Sequence, residues 1–159
     1  MGYSAKHDDD FYAWTQEQAS ALRAAAETRT NLPLDWENLA EEVESMGRSD
    51  LQRLVSHLGR VIEHLLKLEL SPAADPRRGW VESVDNHRIE ARRVLKVSPS
   101  LKAKLPEALA SAWEEGRWLA ARGLARDGMS DRDVPSDCPW SMEQLLDLDF
   151  LPESRHGHL

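Results

Sequence analysis

The stretch that decides the fold is residues 35–70, DWENLAEEVESMGRSDLQRLVSHLGRVIEHLLKLEL. Its apolar residues recur every three or four positions, as on one face of an α-helix. The first half of this face consists of Trp36, Leu39, Val43 and Met46. The second half consists of Leu51, Val55, Leu58, Ile62 and Leu65. Shorter helical patterns before and after the stretch could cover this face, so we expect it to form the centre of the fold.

A helix break is predicted in the middle of this stretch. Gly47 is typical of a helix C-terminus, and Ser49 with Gln52 matches the capping box that opens a helix. At about 100° per residue, the two apolar faces are out of phase by about 80°. We therefore expect two helices separated by a break or sharp kink at residues 47–49, with a single bent helix as the alternative.

The flanking segments also show helical patterns. The acidic residues 8–10 are expected to cap a first helix, and Asp75-Pro76 to begin another. In the helix that follows Pro106, the small residues Ala112, Gly116 and Gly123 would let a neighbouring helix come close. No segment alternates apolar and polar residues as a strand does. We predict an all-α, single-domain, up-and-down bundle of about five helices plus a short C-terminal helix over residues 1–152, and a flexible tail at 153–159.

The composition bounds the class of function. The chain has 159 residues, of which 41% are hydrophobic and 30% charged, as expected for one soluble domain. The net charge of -8 makes nucleic acid an unlikely partner, because phosphate binding needs a positive surface. We find no signal peptide pattern and no apolar run that would span a membrane. The single Cys138 excludes an intrachain disulfide and a multi-cysteine zinc site, and a cytoplasmic location is expected.

Three segments carry a family resemblance: DFYAWTQEQASALR near the start, DWENLAEEVESMGRSDLQRLVSHLGRVIEHLLK in the middle, and CPWSMEQLLDLDFLP near the end. In this order they resemble an uncharacterised bacterial family, Domain of Unknown Function family 29. The resemblance implies a small, helical, intracellular bacterial protein. It implies no established activity, so no catalytic residue is assigned. The patches that recur in the family are matched here by Glu41-Glu42, residues 64–67, Arg88 and Cys138-Pro139.

Two interpretations compete for the polar residues near the predicted core. Glu42, His64 and His87, with His57 nearby, could hold a divalent transition metal, since helical metalloproteins build sites from inward Glu and His. Such a site would favour a metal-binding protein or metal-dependent hydrolase. The other interpretation pairs Glu42 with Arg88, because a buried charge is tolerated only when it is paired. We favour this structural polar core, which needs no cofactor.

The remaining candidates indicate a partner surface. Trp118 and Trp140 lie off the apolar faces, and Arg92 and Arg93 can stand on the outer side of their helix. No catalytic motif is present. The leading prediction is therefore a non-enzymatic, protein-binding or regulatory module, with a homo-oligomer left open. A weaker alternative is a nucleic-acid accessory factor that works through the arginines.

Overall fold

The structure is a computed structural model that describes residues 5–28 and 31–158. These residues contain five α-helices and no strand, which confirms the all-α prediction. The helices are α1 (Phe11–Glu27), α2 (Trp36–Leu70), α3 (Arg77–Val97), α4 (Leu105–Ala125) and α5 (Met142–Leu146). Short 3-10 helices occupy Pro99–Lys104 and Asp131–Asp133. Within the described ranges, none of the helices is both long and apolar enough to cross a membrane.

The chain divides into two compact units. The first contains the described residues up to Arg53 together with Val94–Lys104, and the second contains Leu54–Arg93 and the described residues from Leu105 onward. Helix α2 is continuous and contributes its first half to one unit and its second half to the other. Helix α3 lies in the second unit except for its last four residues, from Val94 onward, which belong to the first.

In the first unit, Asp10 fixes the start of α1. Its carboxylate accepts a hydrogen bond from the amide of Ala13, and so caps the helix as predicted for the acidic run. The same carboxylate accepts bonds from the amide and hydroxyl of Ser100, at 2.7 and 2.8 Å. The amide of Tyr12 donates to the hydroxyl of Ser98. The start of α1 is therefore tied to the 3-10 helix Pro99–Lys104 and to the residue before it.

The predicted break at residues 47–49 is wrong, because α2 is a single helix of 35 residues. Gly47 is buried inside the helix, and a Cβ atom built on it would lie 2.2 Å from the hydroxyl oxygen of Thr15 on α1. The glycine therefore serves close helix packing and does not end a helix. The hydroxyl of Ser49 donates to the carbonyl of Ser45 within the helix, where a capping residue would accept from the following turn.

The inner face of the first half of α2 consists of other residues than its apolar pattern predicted. Leu39 and Met46 are 40% and 49% exposed, whereas Ala40 and Gly47 are buried. The buried row 40, 47, 54 and 61 keeps one heptad spacing on both sides of residues 47–49, so the burial pattern requires no helix break there. At Gly47, where Thr15 of α1 comes close, the inner position of α2 is occupied by a glycine and not by a large apolar side chain.

In the second unit, α2 and α4 approach each other closely. A Cβ atom built on Gly116 of α4 would lie 2.5 Å from the carbonyl oxygen of Gly59 and 2.7 Å from Cγ2 of Ile62. Ala112 on the same face of α4 is fully buried. The prediction that small residues of this helix permit a close neighbour is confirmed for Gly116.

The C-terminal region closes the second unit. Ser141 and Gln144 form a capping box at the start of α5, and Leu145 in this helix is fully buried. Beyond it, the amide of Arg155 donates to the carbonyl of Glu69, and His156 bonds the carbonyl of Leu70. The described part of the segment expected to be a flexible tail therefore satisfies carbonyl groups that the end of α2 leaves unpaired.

Candidate functional site

Two histidines meet between α2 and α3 in the second unit. Nδ1 of His57 lies 3.0 Å from Nδ1 of His87, and the ring centroids are 5.3 Å apart. A hydrogen bond at this distance requires one ring to donate and the other to accept. The pair can therefore share one proton between its Nδ1 atoms, but it cannot hold a proton on both of them. The sequence placed both residues near the core, and the structure shows that they contact each other.

His64 lies on the same helix, and its ring orientation is fixed by the main chain. Its Nδ1–H donates to the carbonyl of Arg60 at 2.8 Å, and its side chain is 15% exposed. The hydroxyl of Ser83 on α3 lies 3.4 Å from the same nitrogen. A neutral ring that donates from Nδ1 carries its lone pair on Nε2.

Glu63 is a buried carboxylate that was not among the predicted site residues. Its side chain is 7% exposed and accepts hydrogen bonds from Nζ of Lys67 at 2.7 Å and from Nη1 of Arg60 at 2.8 Å. Burial raises the pKa of the Glu63 carboxyl, but the bonds from the two cations outweigh burial and the pKa is lowered. The four-residue spacing of Glu63 and Lys67 was the available signal for this pair.

The pKa values of His64 and His87 are both lowered. Burial lowers the pKa of His64 and outweighs the opposing effect of its bond to the Arg60 carbonyl. Burial also lowers the pKa of His87, and the neighbouring charges of His57, His64 and Arg60 lower it further. The lowered pKa values favour the neutral form of His64 and His87. The charge of the Glu63 carboxylate is balanced by its bonds to Lys67 and Arg60.

The predicted metal site is not assembled. Among residues 5–28 and 31–158, no group of three or more His, Cys, Asp or Glu side chains is placed to hold a metal ion. Glu42, the predicted carboxylate ligand, is exposed. The prediction that Glu42, His64 and His87 form one ligand set is therefore wrong, because a buried ligand set needs an inward carboxylate.

The predicted pairing of Arg88 with Glu42 is also wrong. Arg88 is fully buried as expected, but its guanidinium donates to main-chain carbonyls. Nε–H donates to Leu145 at 2.9 Å, and the terminal nitrogens donate to Phe150 at 2.7 Å and to Gln144 at 3.1 Å. These carbonyls belong to the end of α5 and the segment after it. Arg88 thus holds the C-terminal region and takes no part in a polar cluster with Glu42.

The predicted partner surface is only partly exposed. Trp118 on α4 is 58% exposed, and Arg92 and Arg93 on α3 are exposed as well. Trp140 is 7% exposed, so its predicted place on a contact surface is wrong. Trp140 precedes the N-cap of α5 and lies in the core, where a large aromatic ring buries much apolar area.

The family model described as Domain of unknown function DUF29 matches residues 7–151 of the chain. The chain belongs to this family. The crystal structure of an α-helical protein of unknown function from Rhodospirillum rubrum superposes with a TM-score of 0.78, at 26% sequence identity over 93% of each chain. No curated protein matches the chain significantly.

The comparisons agree with the resemblance found in the three sequence segments. A DUF29 assignment and a helical neighbour of unknown function specify the fold and the family, and neither supplies a substrate, a ligand or a partner. The function must therefore be argued from the surface and the cavities of this chain.

Proposed function

We propose that the protein is a non-enzymatic helical module that binds a protein partner through a groove on α4. The observation that carries this proposal is the 58% exposure of Trp118. Burying a tryptophan side chain gains much apolar area, and tryptophan and arginine are enriched among the residues that dominate binding energy at interfaces. An exposed tryptophan beside arginines is therefore the best candidate for an interface centre on this molecule.

Hydrogen bonds of Arg117 fix part of the groove around Trp118. It has a volume of about 510 Å³, and its lining includes Arg117, Trp118, Ala121 and Arg122 of α4. Nη1 of Arg117 donates to the carboxylate of Asp131 at 2.9 Å, and its Nε–H donates to the carbonyl of Pro135 at 2.7 Å. These bonds hold one wall of the groove in place, which reduces the entropy lost on binding.

The chemistry of the groove favours an apolar and acidic segment of a partner. The guanidinium of Arg122 lies over the Trp118 ring at 4.8 Å, a cation–π arrangement. A partner carboxylate beside Arg122 would add a charge-assisted hydrogen bond. An apolar partner side chain would pack against the exposed part of the Trp118 ring and against Ala121. An interface with a central aromatic and a charged rim follows from this arrangement.

The test begins with a photo-crosslinking amino acid at Ala121, used in the organism that makes the protein. Each captured protein is purified and its affinity is measured for the wild type, Trp118→Ala and Arg122→Gln. We expect saturable binding that Trp118→Ala weakens at least about tenfold, as for an interface hot spot. The matched control is Ile89→Ala, which removes an apolar side chain 46% exposed on α3. The control should keep the wild-type affinity.

Failure of the proposal has a clear form. If every purified captured protein binds Trp118→Ala as tightly as it binds the wild type, the groove is not the interface. A captured second copy of this chain, with self-association lost in Trp118→Ala, would identify the partner as the protein itself. Sedimentation velocity of the wild type and of Trp118→Ala distinguishes this outcome from binding of a different protein.

The two alternatives have less support. A metal-dependent hydrolase needs a ligand set, and none is assembled in the described part of the chain. A nucleic-acid accessory factor needs a free basic stripe. Arg78 and Arg93 pair with the carboxylates of Glu82 and Glu90, while Arg88 is buried. These pairings remove much of the positive surface that a phosphate backbone would contact.

A further inference from the structure

Arg77, in the first turn of α3, is a buried cation with few partners. It is 8% exposed, and its Nη1 donates to the carbonyl of Leu68 at 2.8 Å. Its Nε–H is buried and has no acceptor among the described residues. A guanidinium has five N–H donors and a full positive charge, and a charge in this setting is usually paired with an anion. Within residues 5–28 and 31–158, no carboxylate forms an ion pair with Arg77.

Two adjoining cavities meet at Arg77. The first has a volume of about 400 Å³, and its lining combines the apolar side chains of Leu68, Val81, Leu151 and Pro152 with the polar side chains of Arg77, Glu153, Ser154 and His158. The second has a volume of about 510 Å³, and Arg77 and Val81 line both. Small-molecule sites are commonly concave and apolar, with a few fixed polar groups that orient the ligand. The first cavity with Arg77 has this composition.

We propose that the first cavity binds a small monocarboxylic acid with an apolar tail. The carboxylate would accept hydrogen bonds from the Arg77 guanidinium, whose planar fork suits two carboxylate oxygens. The tail would lie against Leu68, Val81 and Leu151. This site is separate from the groove at Trp118, and its test does not depend on the protein-binding proposal.

The other charges near Arg77 favour a monoanion. Glu153 lines the first cavity and Asp75 lines the second, and both would repel a phosphate dianion more strongly than a single carboxylate. His158 lines both cavities, but its Nε2 bonds the carbonyl of Pro72 at 2.9 Å. Arg77 is therefore the group that recognises the ligand, and His158 contributes to the wall.

The experiment titrates the full chain with hexanoate, hexan-1-ol and inorganic phosphate and follows backbone amide NMR signals. We expect saturable shifts for Val81 and Leu151 with hexanoate, and at least tenfold weaker binding of hexanol and phosphate. Arg77→Gln should weaken hexanoate binding at least tenfold. The matched control is Arg78→Gln at the next residue, whose side chain is 91% exposed, and its affinity should stay within twofold of the wild type.

A second variant covers the case in which Arg77→Gln fails to fold. Val81→Phe leaves Arg77 in place and fills part of the apolar cavity, so it should also weaken hexanoate binding at least tenfold. The proposal is overturned if hexanoate gives no saturable shifts up to about 10 mM, a weak affinity even for a small ligand. It is also overturned if hexanol or phosphate binds as well as hexanoate, or if Val81→Phe keeps the wild-type affinity.

Discussion

The Nε–H group of Arg88 on α3 donates to the main-chain carbonyl of Leu145 in α5 at 2.9 Å. Arg88 also bonds the carbonyls of Gln144 and Phe150. Helix α5 has only five residues, too few to be stable by itself, and of these acceptors the Gln144 carbonyl also receives a bond from the amide of the C-cap Asp147. Arg88 thus supplies to the C-terminal region the hydrogen bonds that a longer helix or a glycine cap would supply.

Replacing Arg88 should therefore destabilise the protein. Arg88→Met keeps the apolar stem and leaves buried carbonyls unsatisfied, and we expect a loss of about 3 kcal/mol in the free energy of unfolding. Arg88→Lys should restore little, because a single ammonium cannot span the same acceptors in the guanidinium's planar geometry. Urea denaturation measures both variants.

Arg92 provides the control for this prediction. Its Nη1 lies 3.5 Å from the carbonyl of Leu146, and the residue is exposed. Arg92→Met should change the free energy of unfolding by no more than about 0.5 kcal/mol. A wild-type urea midpoint for Arg88→Met, or unchanged hydrogen exchange in α5, would show that the three bonds do not hold this region.

Gly47 gives a second prediction, opposite in sign to helix propensity. In an exposed helix Gly→Ala is stabilising by about 1 kcal/mol. At Gly47 the new methyl would lie 2.2 Å from the Thr15 hydroxyl, so Gly47→Ala should destabilise by about 1–3 kcal/mol through overpacking. Adding Thr15→Ala removes the clash and should recover part of the loss, as a double-mutant cycle would show.

Gly79 on α3 is the matched glycine for this test. A Cβ atom built there has no neighbour within 4 Å, so Gly79→Ala should raise the free energy of unfolding by up to about 1 kcal/mol. If both alanine variants raise the thermal midpoint, helix propensity and not the contact with Thr15 governs Gly47.

The error at residues 47–49 shows what the sequence of α2 could and could not predict. Hydrophobic periodicity located the helix and its class, because the 3.6-residue repeat depends on the chain alone. It placed Leu39 and Met46 inside because they are apolar. The structure buries Ala40 and Gly47 there, and Gly47 lies against Thr15 of α1, a fit that depends on the shape of a second helix.

The contact partners of the polar residues could not be predicted from the sequence either. The sequence placed His57 and His87 near the core, but their contact depends on how α2 and α3 align. Arg88 was expected to be buried and paired, and its partners were assigned to a side chain because main-chain carbonyls have no sequence signature. Only three-dimensional packing shows that α5 ends beside Arg88.

The pair Gly59 and Gly116 tests the close contact of α2 and α4. A Cβ atom on Gly116 would meet the carbonyl of Gly59 at 2.5 Å, whereas one on Gly59 would have its nearest neighbour at an ordinary 3.5 Å. Gly116→Ala should destabilise by about 2 kcal/mol through overpacking against main-chain atoms, which cannot rotate away. Gly59→Ala should be neutral or slightly stabilising. Equal thermal midpoints for the two variants would contradict the close approach.

Two histidines, His64 and His87, make the free energy of unfolding depend on pH. In the unfolded chain a histidine has a pKa of about 6.5, and in the folded protein the pKa values of His64 and His87 are lowered. As the pH falls below about 6.5, the unfolded chain binds protons that the folded protein does not bind. The free energy of unfolding must therefore fall with the pH. A second charge on the His57–His87 pair would also break its hydrogen bond.

We expect the free energy of unfolding to decrease between pH 7 and pH 5.5, by at most about 1.4 kcal/mol per pH unit for each histidine. His87→Gln and His64→Gln should each make the dependence shallower in urea titrations across this range. Glu63 contributes at lower pH, since the bonds from Lys67 and Arg60 hold the pKa of its carboxyl below that of a glutamate in the unfolded chain. If His87→Gln and His64→Gln both keep the wild-type pH dependence of the free energy of unfolding, these two imidazoles do not control it.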